Sequence, residues 1–389
     1  MKVVLTIRDF YPGKGGGISY TLGLARSLVK RGVDAFVVTS SRSLSKAYSN
    51  IDGVKVFRTG YIEYQTQLLD PFRLYTLLKS LDPDVVHTND PSIVGDETLF
   101  AAKRISKPIV TTYHADARLR GFPGAYMRFK TRLLPRYDRI IVTTTLYRRV
   151  LCERGVPCSK VAVIPIGIDY QRFANTPREA AEDLREKLGL GDKRVLLFVG
   201  GLTVGQLYKR PDLLLVALRI LGMENVALLV VGQGALLGYY KSLAERLEVG
   251  DKVLFLGEVP EEDLPKFYRL ADILVLPSPT MREGFGIVLL EAMASGCPVI
   301  TSTRAGGSMT VLLSGAGLLY EAYNARDLAA KIEHLLENES LRREMGSKGR
   351  EYAKRHDWSR IVGMFIELYE DVTSEKRVKK WQEHSTRHS

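Results

Sequence analysis

The sequence predicts an α/β protein of two domains, each organised around a parallel, doubly wound sheet. Three observations lead there. The 389 residues exceed what one ordinary core holds and suit two. Short β-branched runs alternate with stretches of helical apolar spacing, which is the pattern of parallel strands joined by crossover helices. The alternation pauses near residue 170 and then begins again with strands of the same kind.

In the first half, Val3–Ile7, Ala35–Thr39, Val85–His87, Ile109–Tyr113 and Ile140–Thr143 read as strands, while Ser19–Lys30 and Leu69–Ser80 carry apolar residues at helical spacing. The pattern halts at Val163-Ile-Pro-Ile-Gly-Ile-Asp169 and passes a charged stretch from Thr176 to Lys187. It restarts with Val195–Gly200, Ala227–Gly232, Val253–Gly257, Ile273–Pro277 and Pro298–Thr301. No sequence repeat accompanies the repeated architecture. The expected division is a domain over 1–170, a second over 171–357, and a basic helical tail over 358–389 that packs back on the first. Two such domains would face each other across a cleft.

Composition narrows the class. With 45% hydrophobic and 26% charged residues the chain is an ordinary globular protein. No apolar run reaches the roughly 18 residues of a membrane span. Met1-Lys-Val-Val-Leu-Thr-Ile-Arg-Asp meets charge too early for a signal peptide and reads as a strand. Cys152, Cys158 and Cys297 are too few for a disulfide framework or a zinc site, so reduced thiols in a cytoplasmic enzyme are expected.

The most informative stretch is Arg282-Glu-Gly-Phe-Gly-Ile-Val-Leu-Leu-Glu-Ala-Met-Ala-Ser-Gly-Cys-Pro-Val-Ile300. It follows a strand, turns through Gly284 and Gly286, and runs as a helix to Ser295, with Gly296 at its end. A helix that starts after a glycine-bearing turn at a strand's carboxyl end offers free backbone N–H groups to an anion such as diphosphate. Glu283 precedes the helix and Glu291 lies in its second turn, so they do not share one face. Their acceptor oxygens suit hydroxyls on different parts of one extended ligand.

Glu283 and Glu291, with seven residues between them, resemble the Glu-x7-Glu motif of the retaining glycosyltransferases of family 4, and the match runs on to Gly306-Gly307. The resemblance implies the GT-B fold, two Rossmann-like domains. It implies that Glu283 contacts donor-sugar hydroxyls, that Glu291 binds the nucleotide ribose, and that the backbone of Gly284, Phe285 and Gly286 approaches sugar and phosphates. Phe198-Val-Gly-Gly-Leu-Thr203, followed by Lys209-Arg-Pro-Asp, resembles the family's basic pair on the departing diphosphate. Lys209 takes the Lys position. Gly201 stands where the family commonly has Arg, with Arg210 and Arg282 as cations that could substitute. Cationic stabilisation of the leaving phosphate would be the largest catalytic contribution here.

In the first domain, Tyr11-Pro-Gly-Lys-Gly-Gly-Gly-Ile-Ser-Tyr20 joins strand to helix, and the resemblance sets Gly15, Gly16 and Gly17 beside donor phosphate and acceptor. His114, at the end of Ile109–Tyr113, matches the family's His near the donor sugar, whereas His87, also at a strand end, reads as structural. Gly232-Gln-Gly-Ala-Leu-Leu-Gly238 is read as a turn near the nucleotide base. Thr310 replaces the Glu of the family's Gly-Gly-x-x-Glu.

The expectation is therefore a hexose transfer from a nucleotide-diphosphate sugar, as co-substrate, to a hydroxyl of a sugar or lipid-linked acceptor, with no cofactor and no metal. Catalysis would fall to His114, Lys209 and Glu283. Competing readings are a nucleotide-sugar epimerase or sugar phosphorylase on the same fold, or a degenerate nucleotide-sugar-binding protein. The net charge is +12, and residues 101–160 hold 14 Lys or Arg against Asp116, Asp138 and Glu153. That field, with Ala125–Arg136 as an interfacial helix, would draw an anionic membrane surface at the inner face. No fold for reading specific nucleic acid is recognisable.

Overall fold

The computed structural model describes residues 1–13, 15–40, 48–59, 61–64, 66–89, 93–114 and 132–385. They fall into two compact units. One holds Met1–His114, the chain up to Gly167, and the helix that starts at Trp358; the other holds Ile168–Asp357.

The first unit contains β1 (Lys2–Thr6), β2 (Asp34–Ser40), β3 (Tyr48–Ile51), β4 (Val54–Thr59), the hairpin of β5 (Tyr61–Tyr64) and β6 (Thr66–Leu69), β7 (Val85–Thr88), β8 (Ile109–Tyr113), β9 (Arg139–Val142) and β10 (Val161–Val163). Eight of them form one sheet in the order β10-β9-β8-β7-β1-β2-β4-β3, parallel except at β3–β4. Val3, Val4, Leu5, Val85, Val86, Ile109 and Val110 are fully buried, as strands covered on both faces require. The helix Gly16–Lys30 extends the expected Ser19–Lys30 by less than a turn, while Pro71–Leu81 starts two residues later than the expected Leu69–Ser80 because the Asp70 side chain caps it, accepting from Phe72 N and Arg73 N.

The helix Trp358–Ser385 packs in this unit. Tyr369 Oη lies 2.6 Å from His87 Nδ1, and His87 Nε2 lies 2.7 Å from Thr112 Oγ1. Burial, with His114 as a second influence, pushes the His87 pKa down to about 3, so its imidazole stays neutral and ties the helix to β7 and β8. Cys152 and Cys158 are joined in a disulfide with Cα atoms 5.3 Å apart, which corrects the expectation of three reduced thiols. A separation of six residues does not reveal that the chain doubles back between the helix Thr145–Glu153 and the turn Cys158–Lys160. Cys297 remains a buried thiol.

The second unit contains β11 (Arg194–Val199), β12 (Val226–Val231), β13 (Val253–Gly257), β14 (Ile273–Leu276), β15 (Val299–Ser302) and β16 (Gly317–Tyr320). They form an all-parallel sheet in the order β13-β12-β11-β14-β15-β16. Every residue of β12 is buried, and Leu214, Leu218, Ile332 and Leu335 cover one face from the helices Pro211–Leu221 and Ala325–Glu337. Among the described residues no helix is long and apolar enough to cross a membrane.

Candidate active site

In the six-stranded sheet the chain steps outward from β11 through β12 to β13, then returns and steps the other way from β14 through β15 to β16. The reversal lies between β11 and β14. In open α/β sheets the crevice beyond the carboxyl ends of the strands at such a reversal is where ligands bind, because the two flanking loops diverge there.

Lys209 and Glu283 meet at that point. Lys209 closes the short 3₁₀ helix Val204–Lys209 after β11, and Glu283 lies in the turn after β14. Lys209 Nζ donates to Glu283 Oε2 at 2.7 Å, with the two side chains 11% and 10% exposed. Burial by itself would lower the Lys209 pKa, but the adjacent Glu283 carboxylate, helped by Tyr208, outweighs it and holds the ammonium above its ordinary range. The result is a desolvated ion pair with N–H donors and carboxylate lone pairs to offer.

The helix Ile287–Ser295 begins beside this pair. Its N-cap Gly286 has φ 75°, a left-handed conformation that an L side chain rarely adopts, and no side chain caps the helix start. Leu289 N donates to Gly286 O at 2.8 Å, and the amides of Ile287 and Val288 remain available to an anion. Gly306 N donates to Glu283 O at 2.9 Å, and a Cβ on Gly306 would lie 1.9 Å from Gly284 O. The Gly306-Gly307 pair thus lets the loop after β15 press against the backbone of Glu283 and Gly284.

Glu291 points elsewhere. Tyr268 Oη donates to its Oε2 at 2.6 Å, and burial raises its pKa despite that hydrogen bond. A carboxyl whose pKa is higher in the fold than in the unfolded chain opposes folding once it ionises. Glu291→Gln is expected to melt about 2–4 °C higher at pH 8 for each kcal/mol of charge burial removed. The difference should vanish as pH falls below the ordinary carboxylate value of 4.5. Thermal melts of both proteins across pH check this.

The loops after β11 and β12 are sewn together, with Leu202 N donating to Gln233 O at 3.0 Å and Leu236 N to Leu202 O at 2.9 Å. Gly201 has the Gln206 amide lying over it, since a Cβ there would meet Gln206 Oε1 at 2.0 Å. Arg210 grips Asp212 with Nε and Nη2 at 2.7 to 2.9 Å. Thr310 is buried, so that position faces the interior.

In the first unit, Gly15 remains in the turn after β1, but Gly16 and Gly17 open the helix Gly16–Lys30, a correction to the expected three-glycine loop. The helix forms because Ile18 N and Ser19 N both bond to Gly15 O at 3.0 Å. Tyr20 on this helix meets His114 edge to face, with ring centroids 4.6 Å apart. The helix that Gly16 and Gly17 open and His114 are thus in contact within this unit through Tyr20. Lys14 and residues 125–131 of the expected interfacial helix lie outside the described residues. Of the described basic residues in 101–160, Lys103, Lys107, Arg139 and Arg149 form ion pairs with Asp138, Asp82, Glu375 and Glu153.

Sequence reasoning missed Tyr208, Gln206 and Tyr268. Tyr208 adjoins Lys209 in sequence, which was a signal; Tyr268 sits 23 residues before its partner and left none. Among the described residues no three His, Cys, Asp or Glu side chains converge as metal ligands.

Residues 180–352 match the family model of glycosyl transferases group 1, and residues 14–172 match that of glycosyltransferase family 4. A D-inositol 3-phosphate glycosyltransferase of Geodermatophilus obscurus is 32% identical over 406 residues, covering 94% of this chain and 87% of that protein. An uncharacterized glycosyltransferase of Methanocaldococcus jannaschii is 29% identical, covering 95% and 98%. The crystal structure of Anabaena HepE in complex with UDP-glucose matches with a TM-score of 0.79 at 20% identity, covering 95% of this chain and all of that one. A GT-B fold, two family models and these relatives agree, and the chain belongs to the group 1, family 4 glycosyltransferases.

Proposed function

We propose that this glycosyltransferase moves a hexose from a nucleoside-diphosphate sugar to a hydroxyl of a sugar or lipid-linked acceptor, with retention at the anomeric carbon. The buried Lys209–Glu283 pair at the strand reversal carries the reading. It sets a cation for phosphate and a carboxylate for sugar hydroxyls side by side, next to an uncapped helix start. A donor of this kind is also consistent with HepE, which was solved with UDP-glucose.

In the proposed step the bond from the anomeric carbon to the β-phosphate oxygen breaks, and its electron pair leaves with the diphosphate. Lys209 and the amides following Gly286 stabilise that charge. Glu283 accepts hydrogen bonds from the sugar hydroxyls and orients the ring. The acceptor oxygen bonds to the same face of the anomeric carbon, and its proton passes to the departing phosphate oxygen. Among the described residues none is placed as a covalent nucleophile in this scheme, and no cofactor is invoked. His114 is proposed to help orient the donor sugar, and Glu291 to bind the ribose.

The test incubates the protein with uridine-, guanosine- and adenosine-diphosphate glucose and a panel of acceptors, reading the product anomer by proton NMR. An α-linked product from the α-donor is expected, and Glu283→Ala should lower kcat/KM about a hundredfold or more. A β-linked product, epimerised donor in the absence of acceptor, or undiminished transfer by Glu283→Ala would each overturn the proposal.

A further inference from the structure

The charge at the strand reversal does not balance for a diphosphate. Lys209 already has a carboxylate partner in Glu283, so the pair contributes no net positive charge. A leaving nucleoside diphosphate carries more than one negative charge, and a single matched cation is a poor counter-charge for it in a site shielded from water. Position 201 supplies none, because Gly201 has only the neutral Gln206 amide over it. Arg210 is committed to Asp212 through three short contacts.

Arg282 is differently placed. It directly precedes Glu283, its side chain is exposed, and among the described residues it has no carboxylate partner. Its guanidinium lies 5.0 Å from the centroid of the Tyr208 ring. Lys209 Nζ lies 5.7 Å from the same centroid. Tyr208 is therefore a shared aromatic platform for the buried ammonium and for an uncommitted, planar cation. Attraction to the ring face holds the guanidinium near the pair without consuming its N–H donors. That fork matches two phosphate oxygens in a way an ammonium does not.

We propose that Arg282, held on Tyr208, is a ligand of the donor diphosphate and supplies the positive charge that Gly201 and the neutralised Lys209–Glu283 pair do not. This rests on the donor-site reading above, and it assigns to the residue before the first motif glutamate a contact that would otherwise be sought after β11. Tyr208 is on this view a positioning residue for Arg282.

The experiment measures calorimetric binding of uridine, guanosine and adenosine diphosphates and the matching monophosphates to the unmodified chain, Arg282→Ala, Arg282→Lys and Arg210→Ala. For the diphosphate bound tightest by the unmodified chain, Arg282→Ala should weaken binding roughly ten- to a hundredfold, the loss of one charge-assisted contact. The monophosphate of the same base should weaken by less than about threefold, since the oxygens Arg282 is proposed to hold include those of the β-phosphate. Arg282→Lys, with the charge but not the plane, should fall between, and Arg210→Ala should bind as the unmodified chain does. Equal weakening for mono- and diphosphate, unchanged binding by Arg282→Ala, or a loss on Arg210→Ala in its place would overturn the assignment to Arg282 and leave the donor site standing. Failure of the unmodified chain to bind any of the three diphosphates would overturn both.

Discussion

Lys209→Met is expected to lower kcat/KM for transfer at least about a hundredfold, the scale seen when one preorganised electrostatic contact to a developing charge is removed. It is also expected to destabilise the protein by about 3 kcal/mol, because Glu283 would be left buried without its partner at 2.7 Å. These two effects have different physical origins and can be separated. In the double variant Lys209→Met with Glu283→Gln no charge is stranded, so thermal stability should return most of the way while activity stays lost. Melting curves and steady-state kinetics on the three proteins give the comparison. Recovery of activity in the double variant would show that the pair serves only the fold.

Gly306→Ala is expected to be nearly as damaging to turnover although it removes no functional group. A Cβ at 306 would sit 1.9 Å from Gly284 O and 2.5 Å from Glu283 O, and both are backbone atoms that cannot swing aside. The turn carrying Glu283 must move by about 1 Å to relieve this, and misplacement of that size can cost about a hundredfold in rate. The bond from Gly306 N to Glu283 O at 2.9 Å would be strained as well. Gly363→Ala is the matched control, because nothing lies within 4 Å of its added Cβ in the helix Trp358–Ser385. That change should stabilise the protein by about 0.5–1 kcal/mol and leave turnover intact. Equal activity in the two variants would show that the packing of the β15 loop does not set the position of Glu283.

Much of the architecture was visible in the sequence because parallel strands are buried on both faces. Val226–Val231 is apolar throughout and could hardly be read otherwise. The strands that escaped notice are short or alternate with polar residues. Val54–Thr59 has a Lys and an Arg within six residues, and Gly317–Tyr320 opens on a glycine just past the cap of the helix Ser308–Ser314. The Cys152–Cys158 bond escaped because it depends on a local reversal of the chain rather than on cysteine count. At the site, Lys209, Glu283 and Glu291 were each identifiable as residues, but their partners were not. Tyr268 beneath Glu291 and Tyr208 between two cations belong to the surroundings, and no spacing rule points to them.

By itself the sequence determined which segments become strands and helices, where Gly286 and Gly296 punctuate the helix Ile287–Ser295, and which charged side chains stand at strand ends. Hydrophobic period and backbone chemistry are local, so they can be read locally. Only the tertiary structure decided that β14 lies beside β11, which brings Lys209 to Glu283 across 74 residues of chain. It also decided that Lys209 is matched by a carboxylate and that Arg282, over Tyr208, has no carboxylate partner among the described residues. Periodicity says which face of a strand is buried and is silent on which strand is its neighbour. The order of a parallel sheet, and with it the meeting of charges at its carboxyl edge, is set by long-range packing.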